Sequence, residues 1–253
     1  MPSFKVSACT ADHIGDRSEQ QDRVAVLTSP RHPQGLLAVV SDGMGGRTGG
    51  RMAADQVIST VTNLFRDMSE GDAGGLRGLL KTMADEAHTV IRLSALSSEK
   101  EPHATFVALI VRRDYAIWAY AGDSRLYHFR NGRLLHRTED QTYAAYLRAA
   151  GREQQALEAD RKYRHMLVSA LGLARPADLV INEASDLQPG DAFLLCSDGL
   201  WAHFADVEFG EMLAVLTPRE ASGELVRLAR QRAQGRGDNL SLAIVRLDEA
   251  EAA

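Results

Sequence analysis

The chain has 253 residues, of which 45% are hydrophobic and 25% are charged, and its net charge is −5. This length suffices for one large domain or two small ones, and the acidic balance argues against the basic surface of a general nucleic-acid-binding protein. The longest apolar runs are too short to cross a bilayer, no signal peptide is evident, and two cysteines make no disulfide framework, so we expect a cytoplasmic protein.

The first third of the chain predicts strands followed by helices. Apolar runs indicate strands at about 4–10, 22–28 and 35–41, and a glycine-rich turn then leads into the first of two amphipathic helices. Each helix has an apolar stripe at helical spacing. The stripe residues are Val57, Ile58, Val61, Leu64, Phe65 and Met68 in the first helix, and Leu76, Leu79, Leu80, Met83, Ala87, Val90 and Ile91 in the second. Such stripes are typical of packing against a core.

The middle of the chain predicts a second group of strands and then an insertion. The strands are expected at 104–112, 114–121 and 124–130. Asn131-Gly132 is typical of a two-residue hairpin turn into the following run. Residues 138–163 are charged and rich in alanine, which indicates an exposed helical insertion, or flap, over about 138–165.

The last third predicts strands near 178–184, 192–197 and 240–247. A capping box from Thr217 to Glu220, with proline at the first helical position, opens a helix before the final strand. Strands that arrive in sequential groups favour antiparallel sheets covered by helices over a doubly wound parallel sheet. With no internal repeat or long linker, we expect one domain over 1–248 and a short tail at 249–253.

Four aspartates stand beside a glycine at the end of a strand-like run: Asp42, Asp123, Asp198 and Asp238. One such dipeptide is weak evidence, because Asp and Gly are also common in turns. Several carboxylates that converge without lysine partners would repel one another unless cations lay between them, and oxygen ligands suit Mg²⁺ or Mn²⁺. The pattern therefore predicts a metal centre held by carboxylates.

Other interpretations of these segments fail on residue spacing. The glycine-rich run after Asp42 is not a dinucleotide fingerprint, since Thr48 occupies the position of the third glycine. The eight histidines lack the spacing of a zinc hydrolase, which predicts surface or packing roles for most of them. Cys196 lies in an apolar strand, which predicts a buried and inert thiol.

Seven motifs occur in an order that matches a known family. They are GDRSEQQDR at 15–23, VVSDGMGG at 39–46, AGDSRLY at 121–127, HRTEDQTY at 136–143, SALGL at 169–173, FLLCSDGLW at 193–201 and GDNLSLAIV at 237–245. Each motif is weak by itself, but the ordered set covers nearly the whole chain. It resembles the metal-dependent protein phosphatases of the protein phosphatase 2C type, in their compact bacterial form.

The resemblance implies an α+β fold, a four-layer α-β-β-α sandwich of two antiparallel sheets flanked by helices, with a small flap insertion. It also implies two core ions, Mn²⁺ or Mg²⁺. Asp42 would bridge both ions, Asp198 and Asp238 would complete the first site, and Asp22 and the Gly43 carbonyl would serve the second. Catalysis in this family type would use a hydroxide that bridges the two ions.

Two further residues gain roles from the resemblance. Asp123 would hold a third, weaker ion that it shares with Asp198. Arg17 would bind the substrate phosphate, whereas without the motif an ion pair with Asp16 or Glu19 would be the default interpretation.

The sequence departs from the family pattern at a few positions. Gln20 replaces the usual asparagine, Ala104 the usual glycine, and Ser241 the usual threonine. Met44 stands where many eukaryotic members carry a histidine, so the general acid for the leaving group is unassigned. None of these changes removes a metal carboxylate.

The implied activity is hydrolysis of phosphoserine and phosphothreonine in proteins, on substrates of a bacterial serine/threonine kinase. We expect a monomer without nucleic-acid or membrane partners. Two alternatives stay open: a regulatory or binding module with the phosphatase fold but no turnover, and a phosphoesterase that acts on small molecules.

Overall fold

The structure, a computed structural model, describes residues 4–29, 32–68, 73–96, 101–113, 115–163 and 165–250. Twelve strands form in this part of the chain. In chain order they are β1 (Phe4–His13), β2 (Arg23–Ser29), β3 (His32–Ser41), β4 (Gly43–Met44), β5 (His103–Ala104), β6 (Phe106–Val111), β7 (Ala116–Ala121), β8 (Arg125–Arg130), β9 (Arg133–Arg137), β10 (Val180–Ala184), β11 (Asp191–Cys196) and β12 (Leu240–Glu249).

Seven helices occur among the same residues: α1 (Gly46–Asp67), α2 (Ala73–Ala95), α3 (Tyr143–Ala149), α4 (Glu153–Lys162), α5 (Asp198–Trp201), α6 (Asp206–Val215) and α7 (Pro218–Ala233). Within the described ranges, no helix is both long and apolar enough to cross a membrane. The predicted capping box at the start of α7 is confirmed. The Glu220 amide donates to Thr217 Oγ1 at 3.3 Å, and the Thr217 amide donates to Glu220 Oε2 at 3.0 Å.

Two antiparallel five-stranded sheets form the centre of the fold. One has the order β1-β12-β11-β8-β9 and the other the order β10-β7-β6-β3-β2. Buried side chains such as Val107, Phe193 and Val245 fill the space between the sheets. Helices α1 and α2 cover the second sheet, and α5, α6 and α7 cover the first. The predicted four-layer α+β sandwich is thus confirmed.

Strand direction brings the candidate ligands to one edge of the sandwich. Strands β3 and β7 are both antiparallel to β6, so they run the same way, and they are followed by Asp42 and Asp123. Strand β11 is antiparallel to its neighbour β12, so the end of β11 lies beside the start of β12. Asp198 follows the former and Asp238 precedes the latter.

The observed elements differ from the predicted ones in a few places. Strand β1 extends to His13, and helix α1 begins at Gly46, inside the run that was expected to be a turn. Close backbone approach explains the glycines, since a Cβ at Gly50 would lie 2.3 Å from the carbonyl oxygen of Gly43. Helices α5 and α6 were not predicted. Residue 114 and the last three residues of the predicted tail lie outside the described residues.

The predicted flap is confirmed as a helical insertion made of α3 and α4. Its two helices pack around a small core of their own, formed by Ala144, Leu147, Ala156 and Ala159. The flap is joined to the sandwich at its root, where Thr142 and Leu167 form an isolated antiparallel bridge. Its outer surface leaves Tyr146 and Tyr163 exposed.

Candidate metal centre and active site

The strand-end aspartates meet in a single cleft of about 420 Å³. Its lining includes six of the residues that sequence analysis selected: Arg17, Asp42, Gly43, Asp123, Asp198 and Asp238. Asp22, the seventh, lies behind the wall of the cleft and is 2% exposed. The structure therefore brings the whole predicted set into one region.

Asp42 is fixed by the neighbouring Thr105. The Asp42 amide donates to Thr105 Oγ1 at 2.8 Å, and the Thr105 amide donates to the Asp42 carbonyl at 2.8 Å. Thr105 Oγ1 also lies 2.7 Å from Ser124 Oγ, beside Asp123 in sequence. One buried threonine thereby connects the segments that carry two of the candidate ligands. No role was predicted for Thr105 from the sequence.

Asp22 is buried with one oxygen satisfied and the other without a partner. Ser197 Oγ donates to Asp22 Oδ2 at 2.6 Å, and the same Oγ accepts from the Ser241 amide at 2.9 Å. Asp22 Oδ1 has no hydrogen-bond partner. Burial raises the pKa of Asp22 to about 7, and the charges of Asp198 and Asp238 add to that effect, while the Ser197 hydrogen bond opposes it.

Two further carboxylates of the cleft have raised pKa values for the same reasons. Burial raises the pKa of Asp42 well above its usual value, and the charges of Asp22 and Asp198 raise it further. Burial also raises the pKa of Asp123 to about 7, with the charges of Asp198 and Asp140 as further causes. Ionised together, these groups would be stabilised by cations.

The residues of the cleft fit a divalent cation that prefers oxygen. Carboxylates dominate the set, no lysine lines the cleft among the described residues, and the orphaned Asp22 oxygen is a buried acceptor that needs a positive partner. Oxygen donors of this kind are those that Mg²⁺ and Mn²⁺ take in proteins.

Arg17 lies at the rim of the cleft, above one of the candidate ligands. Its Nη2 donates to Asp238 Oδ2 at 2.6 Å, and the arginine side chain is 61% exposed. Arg17 thus pairs with Asp238, whereas Asp16, one of the two partners expected without the motif, is held by Arg230 at 2.8 Å. The guanidinium is therefore at the site and still accessible to a ligand.

Asn239 holds the loop that carries Arg17. Its Oδ1 accepts from the Gln21 amide at 2.8 Å, and its Nδ2 donates to the carbonyls of Ile14 at 2.7 Å and Glu19 at 2.9 Å. These three contacts tie the N-terminal loop to the residue next to Asp238. Sequence analysis did not single out Asn239, although it stands inside the last matched motif.

His165 is a cleft residue that sequence analysis missed. It comes from the flap, and its Nδ1 lies 3.1 Å from Asp198 Oδ2. Ligand atoms of His165, Asp123 and Asp198 all lie within 4.8 Å of one another. The prediction for the histidines considered spacing along the chain, which carries no sign of a contact across 33 residues.

Cys196 is fully buried in the core beneath α5 and α7. Burial raises the pKa of its thiol, as predicted. It does not line the cleft. The thiol therefore has the environment of a packing residue.

Comparison with known proteins agrees with this geometry. The family model described as "Protein phosphatase 2C" matches residues 9–230. A putative protein phosphatase 2C-type protein of Streptococcus pyogenes is 28% identical over 214 residues, which cover 83% of this chain and 85% of that protein.

Two solved structures extend the likeness to the whole fold. PppA of Pseudomonas aeruginosa, described as a key regulatory component of T6SS, has a TM-score of 0.79 and 28% identity, with 98% of this chain and 100% of that one covered. The catalytic domain of the serine/threonine protein phosphatase PstP, solved with two manganese ions, has a TM-score of 0.73 and 25% identity, with coverages of 97% and 100%.

The sandwich and its carboxylate cleft thus define a metal-dependent phosphatase. The chain belongs to the protein phosphatase 2C family, and it is a protein-serine/threonine phosphatase.

Proposed function

We propose that this phosphatase removes phosphate from serine and threonine residues of proteins at the cleft, with Mn²⁺ or Mg²⁺ as its ions. The observation that carries the proposal is the convergence of four aspartates around one opening and a fifth, Asp22, buried behind its wall, with an accessible arginine at the rim. Anionic ligands alone would repel a phosphate, so the cleft needs bound cations before it can bind this substrate.

We assign the ion ligands as follows. Asp42 would serve both core ions, Asp198 and Asp238 would hold the first, and Asp22 and the Gly43 carbonyl would serve the second. When bound, such ions lower the pKa of a water molecule and neutralise charge on the phosphoryl group. Thr105 and Ser197 support this arrangement, because their hydrogen bonds fix the backbone of Asp42 and the side chain of Asp22.

A third, weaker ion is assigned to Asp123 with Asp198. Asp123 is 5% exposed and lies close enough to Asp198 for their charges to interact. A cation with few protein ligands keeps several waters in its shell and is bound more weakly than the core pair.

Arg17 is assigned to the substrate phosphate. A guanidinium offers a planar pair of donors that matches two phosphate oxygens, which an ammonium group does not. Its 61% exposure leaves room for such an exchange of partners, and Asn239 holds its loop in place. Met44 also lines the cleft but carries no transferable proton, so another group must protonate the leaving oxygen.

Membership of this family also supports a proposal about the substrates and the cellular setting of the enzyme. We propose that the substrates are phosphoproteins made by a bacterial serine/threonine kinase, and that the enzyme acts as a monomer in the cytoplasm.

A metal titration with a substrate panel tests these assignments. We expect hydrolysis of p-nitrophenyl phosphate and of phosphothreonine peptides that rises with Mn²⁺ or Mg²⁺ and is abolished by EDTA. Full activity after exhaustive chelation would overturn the metal assignment. Binding of phosphopeptide without turnover would indicate a regulatory module, and a strong preference for small phosphate esters would indicate a different substrate class.

A further inference from the structure

Hydrogen bonds at the root of the flap fix the position of His165 beside the candidate metal centre. On one side of the root the Tyr143 amide donates to the Met166 carbonyl at 2.8 Å, and on the other the Val168 amide donates to the Gln141 carbonyl at 2.8 Å. His165 lies directly before this paired segment. Its backbone position is therefore set where the flap joins the sandwich.

The His165 side chain completes a three-residue cluster with two buried carboxylates. Its Nδ1 lies 3.1 Å from Asp198 Oδ2, and one ligand atom from each of His165, Asp123 and Asp198 lies within 4.8 Å of the others. Two donors that are bound to one divalent ion at about 2.0–2.6 Å are separated by no more than about 5 Å. The cluster therefore has the dimensions of a cation site, and its third donor is nitrogen.

We propose that His165 is a ligand of the weak cation assigned to Asp123 and Asp198, so that the flap supplies one donor and the sandwich supplies the other two. This inference rests on the proposed function, because it adds a ligand to a cation already assigned there. It goes beyond that assignment in two respects, the preferred cation and the state of the flap.

The nitrogen donor sets the chemical class of the cation. Both Mg²⁺ and Mn²⁺ suit carboxylate and carbonyl oxygens. Mn²⁺, as a first-row transition ion, accepts an imidazole nitrogen in its shell more readily than Mg²⁺ does. The core site, with only carboxylate and carbonyl donors, lacks this bias. We therefore expect the weak site to prefer Mn²⁺ over Mg²⁺ more strongly than the core pair does.

The same ligand links the flap to the sandwich. Away from its root the flap packs mainly on its own small core, Ala144, Leu147, Ala156 and Ala159. A cation held by His165 and two sandwich aspartates would add a cross-link at the cleft. Occupancy of the weak site should thus restrain the flap beside the opening through which a phosphoprotein enters.

Calorimetric Mn²⁺ titration of three proteins tests the ligand role: the wild type, His165→Ala and Met166→Ala. Met166 is the adjacent flap residue, is 47% exposed and does not line the cleft, so its variant is the matched control. We expect the wild type and the control to show tight core binding and one weaker event. His165→Ala should keep the core binding and weaken the last event by about tenfold or more, since even outer-shell changes cost 10–100-fold.

The simpler interpretation, an ion pair between His165 and Asp198, gives the opposite result. Removing an ion-pair partner would free Asp198, so the weaker event would be unchanged or tighter in His165→Ala, and that outcome overturns the proposal. A wild type with core binding but no weaker event overturns it as well. Absence of the core binding in the wild type would instead refute the proposed function, so the two failures are distinguishable.

Limited trypsin digestion gives a second readout that does not depend on activity. Arg161 and Lys162 are exposed on the flap just before the proposed ligand. Mn²⁺ should slow cleavage there in the wild type and in Met166→Ala more than Mg²⁺ does, and His165→Ala should lose this difference. Equal protection by Mn²⁺ in His165→Ala and the wild type would refute the cross-link.

Discussion

Asp22→Asn should stabilise the metal-free protein at high pH and should do so much less at low pH. The pKa of Asp22 is raised to about 7 in the folded protein, mainly by burial. In the unfolded chain it is about 3.9. Because the folded pKa is the higher one, ionising this carboxyl costs nothing below about pH 4, and the cost grows as the pH rises and is complete above about pH 7.

The size of the effect follows from the difference between the two pKa values. A difference of about three pKa units corresponds to about 4 kcal/mol at pH 8, to less than half of that at pH 5, and to well under 1 kcal/mol at pH 4. Asparagine is neutral throughout, can accept the Ser197 hydrogen bond with its amide oxygen, and places its amide group next to Asp42. The substitution should therefore recover most of this free energy of unfolding.

Urea unfolding in EDTA, at pH 5 and pH 8, measures the difference between Asp22→Asn and the wild type. Asp186→Asn is the control, because Asp186 has an 82% exposed side chain and its variant should stay within about 0.5 kcal/mol. With saturating Mn²⁺ the sign should reverse, since the variant has lost a ligand. A gain that does not depend on pH, or a loss at both pH values, would refute the electrostatic reasoning.

Three further predictions follow from the assigned ligands. Asparagine at any of the core positions Asp42, Asp198 or Asp238 should lower kcat at least about 100-fold while the protein still folds, and near-normal turnover in all three variants would refute the assignment. Arg17→Ala should raise KM if the guanidinium binds the ground-state phosphate and lower kcat if it acts in the transition state, and steady-state kinetics without either change would return it to an ion-pair role. Asp123→Ala should keep the core ions while turnover falls, whereas a lower melting temperature with unchanged kcat would show that Asp123 only caps its turn.

Four of the candidate ligands, Asp42, Asp123, Asp198 and Asp238, were predictable from a local signal, whereas Asp22 and the Gly43 carbonyl were added only by the family resemblance. Asp42 and Asp198 follow strongly apolar runs, which marks them in the sequence, but only the structure shows that the ends of β3 and β11 lie at one edge of the sandwich. The α7 start was equally local, since a capping box is complete within four residues. Signals that fit within one strand and its turn are readable without a structure.

The missed features depend on contacts between distant segments. His165 approaches Asp198 because the flap root closes onto the sandwich, and Asn239 acts through carbonyls more than 200 positions away. Helix α6 was missed because its apolar residues do not form a clear stripe, so periodicity gave no indication of it. In each case the deciding interaction is set by the tertiary arrangement and leaves no pattern in the nearby sequence.

The placement of the ligands at strand ends has a physical reason. Asp22, Asp42 and Asp123 each carry a raised pKa, so the folded protein bears the cost of holding like charges together. A flexible loop would relieve that repulsion by moving apart, whereas a strand end in a fully packed sandwich does not move easily. Hydrogen bonds from Thr105 and Ser197 further oppose such movement. The rigid sheets thus keep the carboxylates at distances that a pair of cations can bridge. Cation binding then offsets the electrostatic free energy that this arrangement costs the metal-free fold.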